Sequence, residues 1–533
     1  MAQVLSIREI CFEICLQLKS SPAHPVLHPG PWMGDLLHLA LCSRSIAEEA
    51  MRVLWMVIHD AEPLLRLLPG LESTSVVVGG DQDWLPPFEM KTYRVIRPLQ
   101  KDDWTRFDAY SRYIRHFHLQ SVSSLAVDPD IFRILSHYEL TPLFPSLVNP
   151  DWSNEFRRQA APIREIIPQI MPFLGPLLRK LTVGVHASSW NESHDDLTAF
   201  LHMIPQRCPS LETFGFSGFS HHPLISLSFL GQFQKLQRLC LGSDDGGWSP
   251  PMDAALLCSL SKLPKLLELS HITVFGADNM PSLIKPGFPS LKTLTIDSGD
   301  LRGVELVLKM LSPTLQHCSV GSAHGGTYNE YLACLGHISS KGEFLESFEF
   351  GCIIAPIPPP TEEAVSSIVQ AIFTLKLPRV RALELSQGWE EDCVGIISPS
   401  DVEQCSLIWP QFKSFIMTTS FASFTLHSLS TFASQCRSLK RLVLDVLDVT
   451  ATDATALPHG IPVLSHGLQY LSIFSLEGVI HPAPLAGMLD RMFPHVYANS
   501  SIVNDDVGLL ISTLQTARRD QEQRMKLTSL AGC

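Results

Sequence analysis

One short spacing of apolar positions recurs along this chain: an apolar residue, two variable residues, an apolar residue, one variable residue and a third apolar residue. It stands at Ile114-Phe117-Leu119, Leu178-Leu181-Val183, Leu211-Phe214-Phe216, Leu236-Leu239-Leu241, Leu291-Leu294-Ile296 and Leu315-Cys318-Val320. It continues at Leu345-Phe348-Phe350, Val380-Leu383-Leu385, Phe412-Phe415-Met417, Leu439-Leu442-Leu444 and Leu468-Leu471-Ile473, with a degenerate copy at Leu266-Leu269. From Leu178 onward the copies return roughly every 24 to 35 residues, the interval of a stacked-repeat architecture. The alternation at the end of each copy predicts a short strand, because successive side chains of extended chain point to opposite faces. The approach to the strand is stereotyped: Cys208-Pro209-Ser210-Leu211, Phe288-Pro289-Ser290-Leu291, Leu377-Pro378-Arg379-Val380 and Cys436-Arg437-Ser438-Leu439. Three of these four carry a proline, which ends a helix and sends the chain into extended conformation.

Between strands the apolar period changes to that of a helix. Leu301, Val304, Leu308 and Leu311 share one face; a second helix is expected from Thr361, with Glu362 and Glu363 in its first turn and Val365, Ile368 and Ile372 on its face. A strand, a helix and a return to the next parallel strand cannot bury its apolar side alone, but stacked copies share one core. The expected class is therefore α/β, a solenoid with a curved parallel sheet and outer helices. The triplets resemble the leucine-rich-repeat superfamily. The asparagine or cysteine ladder usual after the strand is largely replaced by Gly184, Ser217, Gly242, Asp297 and Gly351. The middle outward column reads His118, Thr182, Gly215, Cys240, Ser270, Thr295, Ser319, Glu349, Glu384, Ile416, Val443 and Ser472, polar or small except at Ile416 and Val443. With Phe421, Phe424 and Tyr470 close in sequence, those two apolar positions mark either a binding patch or a region covered by loops.

Residues 4–60 do not share the repeat. Ile7, Ile10, Ile14 and Leu18, with Cys11, fall on one helical face; Asp35 precedes Leu36, Leu37, Leu39, Ala40 and Leu41; Ser45 and Glu48 suggest a capping box for a third helix bearing Ile46, Ala50, Val53 and Leu54. Ile7-Arg8-Glu9-Ile10, Glu13-Ile14, Leu18, Asp35-Leu36-Leu37, Leu41-Cys42-Ser43-Arg44 and Leu54-Trp55 resemble the F-box motif, with Arg8 where that family has proline and with a longer first loop. Arg97-Pro98-Leu99, Asp103-Trp104, Arg106-Phe107, Tyr110, Arg112 and Ile114-Arg115 are similar to the segment joining F-box to repeats in a large family of fungal F-box proteins. The resemblance divides the chain into a helical module (4–60), a linker with a connecting helix (61–110), the irregular repeats (111–480) and a C-terminal cap and helical tail (481–533). It implies the substrate receptor of a cullin-type ubiquitin ligase, docking on a Skp1-type adaptor and, through it, a cullin, with an unknown protein target on the repeats. The adaptor-facing residues it implies are Ile7, Glu9, Ile10, Ile14, Leu36, Leu37, Cys42 and Trp55; each could instead belong to a small helical core. A repeat scaffold working outside any ligase is the alternative.

Composition narrows the remaining classes. Forty basic against 53 acidic residues give a net charge of −13, which argues against nucleic-acid binding and against docking on anionic membranes. No apolar run reaches the length of a membrane span, and Arg8, Glu9 and Glu13 interrupt the first helix where a signal peptide needs an apolar core. The 13 cysteines show no CxxC pair and read as reduced thiols, so an intracellular protein of cytoplasm or nucleus is expected. Catalytic signals are weak. Gly215-Phe216-Ser217-Gly218 lacks the spacing of a nucleophile elbow, and Asp244-Asp245-Gly246-Gly247 lacks that of a calcium loop. His116 with His118, and His221-His222, lack further ligands at metal spacing. His194-Asp195-Asp196 reads as a helix start. No enzyme, cofactor or metal is expected. The stretches 69–100, 121–160 and 351–362 are insert-like, either target-binding loops or plain connections, and Asn504-Asp505-Asp506 predicts the start of a last helix.

Overall fold

The computed structural model describes residues 8–19, 32–78, 88–118, 125–127, 130–138, 142–151, 163–184, 194–217, 227–242, 251–275, 287–324, 327–353, 362–388, 395–419, 422–450, 464, 466–478, 482–496 and 505–531. The chain divides into two compact units, Met1–Pro250 and Pro251–Cys533. The first unit opens with three helices, α1 (Arg8–Lys19), α2 (Trp32–Cys42) and α3 (Arg44–Trp55). Strand β1 (Val57–Ile58), a short helix α4 (Glu62–Leu65), strands β2 (Leu71–Val78) and β3 (Phe88–Val95), and helix α5 (Lys101–Ser111) follow. Then come β4 (His116–His118), β5 (Leu125–Val127), α6 (Asp130–Ser136), β6 (Asn149–Asp151), α7 (Ile163–Ile170), β7 (Lys180–Gly184), α8 (His194–Arg207), β8 (Thr213–Ser217) and β9 (Arg238–Cys240).

Strands β1, β4 and β6 pair in parallel, as do β7, β8 and β9. One backbone device stacks the coils. The residue after the first apolar position offers its carbonyl to two successive N–H groups of the next coil. Arg115 O accepts from Val148 N (2.9 Å) and Asn149 N (3.1 Å); Val148 O accepts from Arg179 N (2.9 Å) and Lys180 N (3.2 Å); Arg179 O accepts from Glu212 N (2.7 Å) and Thr213 N (2.8 Å). The ladder starts at Met56 O, which takes Arg115 N and His116 N, so coil stacking begins at the end of α3. It also includes a coil at Leu147, absent from the set of triplets because Pro150 stands in the second apolar place. Its lead-in, Phe144-Pro145-Ser146-Leu147, repeats the residues of Phe288-Pro289-Ser290-Leu291.

Within the stretch 69–100, expected as an insert, β2 and β3 form an antiparallel hairpin with eight residue pairs, and β5 adds to β3 in parallel. The similarity noted around Arg97 and Asp103 corresponds to a clasp: Arg97 grips the Asp103 carboxylate with two bonds of 2.7 and 2.8 Å, and the same carboxylate accepts Gln100 N to cap α5. These bonds hold the Asp103 carboxyl down to about 2. Trp104 and Phe107, on the inner side of α5, are buried.

The second unit continues the device with β10 (Pro251–Met252), α9 (Ala254–Leu260), β11 (Glu268–Val274), β12 (Thr293–Asp300), α10 (Leu301–Met310), β13 (His317–His324) and α11 (Tyr328–Lys341). These lead to β14 (Ser347–Ile353), α12 (Glu362–Phe373), β15 (Ala382–Gly388), β16 (Gly395–Ile397), α13 (Pro399–Ile408), β17 (Ser414–Thr419), β18 (Ala422–Thr425) and α14 (Leu426–Gln435). The unit closes with β19 (Arg441–Asp448), β20 (Tyr470–Glu477), α15 (Pro482–Met492) and α16 (Asp505–Ala531). Its strand pairs are all parallel among the described residues. The carbonyls of Leu267, Lys292, Gln316, Glu346, Arg381, Lys413 and Lys440 form the same double-acceptor column. The architecture is thus mixed α/β, with large parallel sheet and flanking helices, and this stacking fits a solenoid.

The triplets supply the core. Leu294, Ile296, Phe348, Phe350, Leu383, Leu385, Phe415, Leu442 and Leu444 are all buried. Helix residues meet them ring to ring: Tyr331 of α11 lies edge-on to Phe350 at 5.3 Å, and Phe432 of α14 lies tilted against Phe415 at 5.5 Å. Caps start the helices directly off the strands. Asp300 accepts from Gly303 N (2.7 Å), and Thr327, Ser398 and Thr425 each close a capping box. In α3 the cap differs from expectation, since the helix begins at Arg44 with extended Ser43 at the cap, so Ser45 lies inside it. Where the asparagine ladder is missing, backbone fills the space. A side chain at Gly351 would fall on the Gly321 carbonyl oxygen, so strands β13 and β14 close there only because position 351 is glycine.

Candidate functional site

The three-helix module has a very small interior. Its buried apolar residues among those described are Cys11, Cys15, Leu36, Ile46, Ala50 and Val53, with Phe12, Leu16, Leu39, Ala40 and Leu54 half-covered around them. Sequence periodicity put Cys11 on one face with Ile10, Ile14 and Leu18. The structure separates them: the two cysteines, four residues apart, turn inward, and the three larger aliphatics sit on the neighbouring face, each a little over a third exposed. On α2 the same split occurs, with Leu36 buried while Leu37 is 45% and Leu41 77% exposed. Cysteine is small and apolar enough to let helices approach closely, so the large side chains are displaced outward. Burial pushes the Cys15 thiol up, with Cys11 and Glu49 adding to the shift, so this is a packing thiol and not a reactive one.

The implied adaptor-facing residues therefore separate into groups. Ile10, Ile14 and Leu37 lie on exposed apolar faces, Glu9 and Cys42 are exposed, and Leu36 is core. Trp55 is half-buried and stacks on Tyr110 of α5 at 4.8 Å between ring centres. Ile7 lies outside the described residues. Arg8 bonds Glu48 at 2.8 Å and ties α1 to α3. Leu18 and Leu41 extend the exposed stripes; their signal in the sequence is the four-residue step from Ile14 and from Leu37.

The outward column of the sheet is in register as expected: Thr182 opposite Gly215 opposite Cys240 in the first unit, and Thr295, Ser319, Glu349, Glu384, Ile416, Val443 and Ser472 in order in the second. An acidic pair thus adjoins an aliphatic pair. Burial raises the Glu384 carboxyl above its ordinary value, with neighbouring Glu349 reinforcing the shift and Arg441 opposing it. Ser319 donates to Glu349 at 2.7 Å. Ile416 is half-buried, whereas Val443 and Ser472 are buried; Phe474 is exposed and Phe424 buried. Phe421 lies outside the described residues. The column breaks at Ser270, where β11 bulges and His271 adopts a φ of 54°. Its Nδ1 lies 3.0 and 3.1 Å from the two Asp297 carboxylate oxygens.

Among the described residues no three His, Cys, Asp or Glu side chains are placed to hold a metal ion, and no helix is long and apolar enough to cross a membrane. The His221-His222 and Asp244–Gly247 segments, and Gly218, lie outside the described residues. His116 faces Asn149 at 3.4 Å, and His194 does start α8. No protein-family model matches this chain, and no curated protein matches it significantly. The surfaces described above are what the molecule offers to a functional reading.

Proposed function

We propose that the chain is the target-holding receptor of a cullin-type ubiquitin ligase. Its front helices dock on a Skp1-type adaptor and its outward strand face holds a protein target. The observation that supports this most is the pair of exposed aliphatic stripes, Ile10-Ile14-Leu18 and Leu37-Leu41, on a module whose core among the described residues is six buried apolar side chains. Apolar side chains exposed in such rows favour a protein partner, because covering them removes apolar area from water at about 25 cal/mol per Å². The outward column supplies mixed acidic and aliphatic contacts, in keeping with a protein surface as target. The receptor acts by proximity: holding a target beside a loaded enzyme raises effective concentration and needs no catalytic side chain of its own.

Capture of the full chain by purified adaptor tests the reading. Leu36 is the wrong position to probe, because a charge there would break the core. Ile14→Asp with Leu37→Asp changes only exposed positions and should reduce capture at least a hundredfold with the circular dichroism spectrum unchanged. Equal capture of the double variant would eliminate the adaptor reading. Failure of the unaltered chain to bind adaptor, with a target still held on the repeats, would select the scaffold alternative.

A further inference from the structure

A groove of about 230 Å³ opens along the edge of the first unit, built from the residues just before and just after the first apolar position of successive coils. Arg115, Arg179 and Lys235 line it, with the hydroxyls of Ser146 and Ser210. Ser146 and Arg179 lie 33 residues apart in sequence, and Arg179 and Ser210 lie 31 apart; only the stacking through Arg115 O, Val148 O and Arg179 O brings them together. Glu212 is the one carboxylate in the lining. It lies 3.6 Å from Arg179, a loose pair in which both side chains keep solvent contact.

The same edge of the second unit shows what a purely structural arrangement looks like. There Ser290 donates to Pro264 O and Ser438 to Phe412 O, both at 2.7 Å, stitching coil to coil. Ser146 and Ser210 donate to no acceptor among the described residues; Ser210 only receives Lys235 Nζ, at 3.4 Å. Neither Arg115 nor Lys235 has a carboxylate partner among the described residues. Three cations and two available hydroxyl donors therefore converge on one groove, on a chain whose net charge is −13.

The geometry points to a binding site for a phosphate monoester. Guanidinium forks match the paired oxygens of a phosphoryl group, a lysine adds a point charge, and hydroxyls donate to the remaining oxygens. The site stands apart from the adaptor reading and does not depend on it. Leu177, half-exposed on the rim of the groove, would contact the organic part of a larger ligand.

Calorimetric titration of the full chain with inorganic phosphate and with a short blocked peptide carrying phosphoserine tests the assignment. Both should bind saturably and strengthen as pH rises from about 5.5 to about 7.5, because the second proton leaves the phosphoserine ester near pH 6 and inorganic phosphate about one unit higher. Arg115→Gln and Lys235→Gln should each weaken binding about tenfold, the loss expected for one charge-assisted bond. Glu212→Gln should tighten it severalfold by removing the competing carboxylate, a gain that a structural role for these residues would not produce. The two ligands separate the sources. A peptide that binds at least tenfold better than phosphate, and loses that margin in Leu177→Ser, identifies a phosphorylated chain; equal binding identifies a small free monoester. Either result carries the site. No saturable binding of either ligand, or binding unchanged in Arg115→Gln and Lys235→Gln, overturns it.

Discussion

The strand ladder turns its apolar volume inward, whereas the three front helices divide theirs between core and surface. In the ladder the largest side chains, Phe348, Phe350, Phe415 and the leucines beside them, turn inward, and the outward column carries Ser, Thr and Glu. In the helices the inward places mix Cys11, Cys15 and Ala50 with Leu36, Ile46 and Val53, while Ile10, Ile14, Leu18, Leu37 and Leu41 face out. Every coil meets a neighbour of the same kind, so inward volume is matched by the adjacent coil and by the helix that follows. The front helices have no repeated neighbour, and about 45 residues bury too little area to be robust alone. The contrast separates a part that completes its own core from a part that leaves apolar side chains exposed, the face proposed above for the adaptor.

Cutting equivalent apolar bulk from the two regions should sharpen that contrast most. Phe415 packs against Phe373, Phe412, Phe424 and Phe432 and is fully buried. Phe415→Ala should cost about 3–5 kcal/mol in chemical unfolding. Ile14→Ala, at a side chain that is 40% exposed, should cost no more than about 1 kcal/mol. Similar losses at both sites would mean that the isoleucine stripe is interior packing and not a docking face.

A smaller effect is expected where backbone rather than side chain fills the ladder. Gly351→Ala would push a methyl onto the Gly321 carbonyl and force β13 from β14. Overpacking of this kind costs about 1–3 kcal/mol. Thermal unfolding measures it; a neutral result would mean that the strands part there without penalty.

The ladder was legible because its signal is local and repeated: one triplet fixes a strand, and its recurrence fixes the stacking. The coil at Leu147 escaped because Pro150 occupies an apolar position, although Phe144-Pro145-Ser146-Leu147 carries the lead-in. The front module was legible as helices but not as a surface. Two apolar stripes one residue apart, Cys11-Cys15 and Ile10-Ile14-Leu18, fit the same helical period. Periodicity cannot choose between faces only 100° apart; the space left at the helix crossing does, and that depends on all three helices. The groove of Arg115, Arg179 and Lys235 was illegible for a different reason. Its members are single polar residues in separate coils, with no spacing of their own, and they meet only because the carbonyl column sets the coils in register.

The smallest expected effect concerns charge on the outward column. Glu384 lies in register beside Glu349 and Ile416, with its carboxyl raised first by burial and then by Glu349, against the pull of Arg441. A carboxyl whose value in the folded chain exceeds its unfolded value binds more protons folded than unfolded between the two. Its contribution therefore favours the folded state at low pH and is lost as pH rises from the ordinary glutamate range through the raised value. Glu384→Gln removes that dependence, so the stability of the unaltered chain relative to the variant should fall as pH climbs from about 4 to about 7. The difference should stay below about 1 kcal/mol, since the side chain keeps substantial solvent contact. Urea midpoints of both proteins across that range decide it. A difference that grows in the opposite direction would mean that Arg441, and not Glu349 and burial, dominates the carboxylate, and that the column presents a neutralised face to whatever it holds.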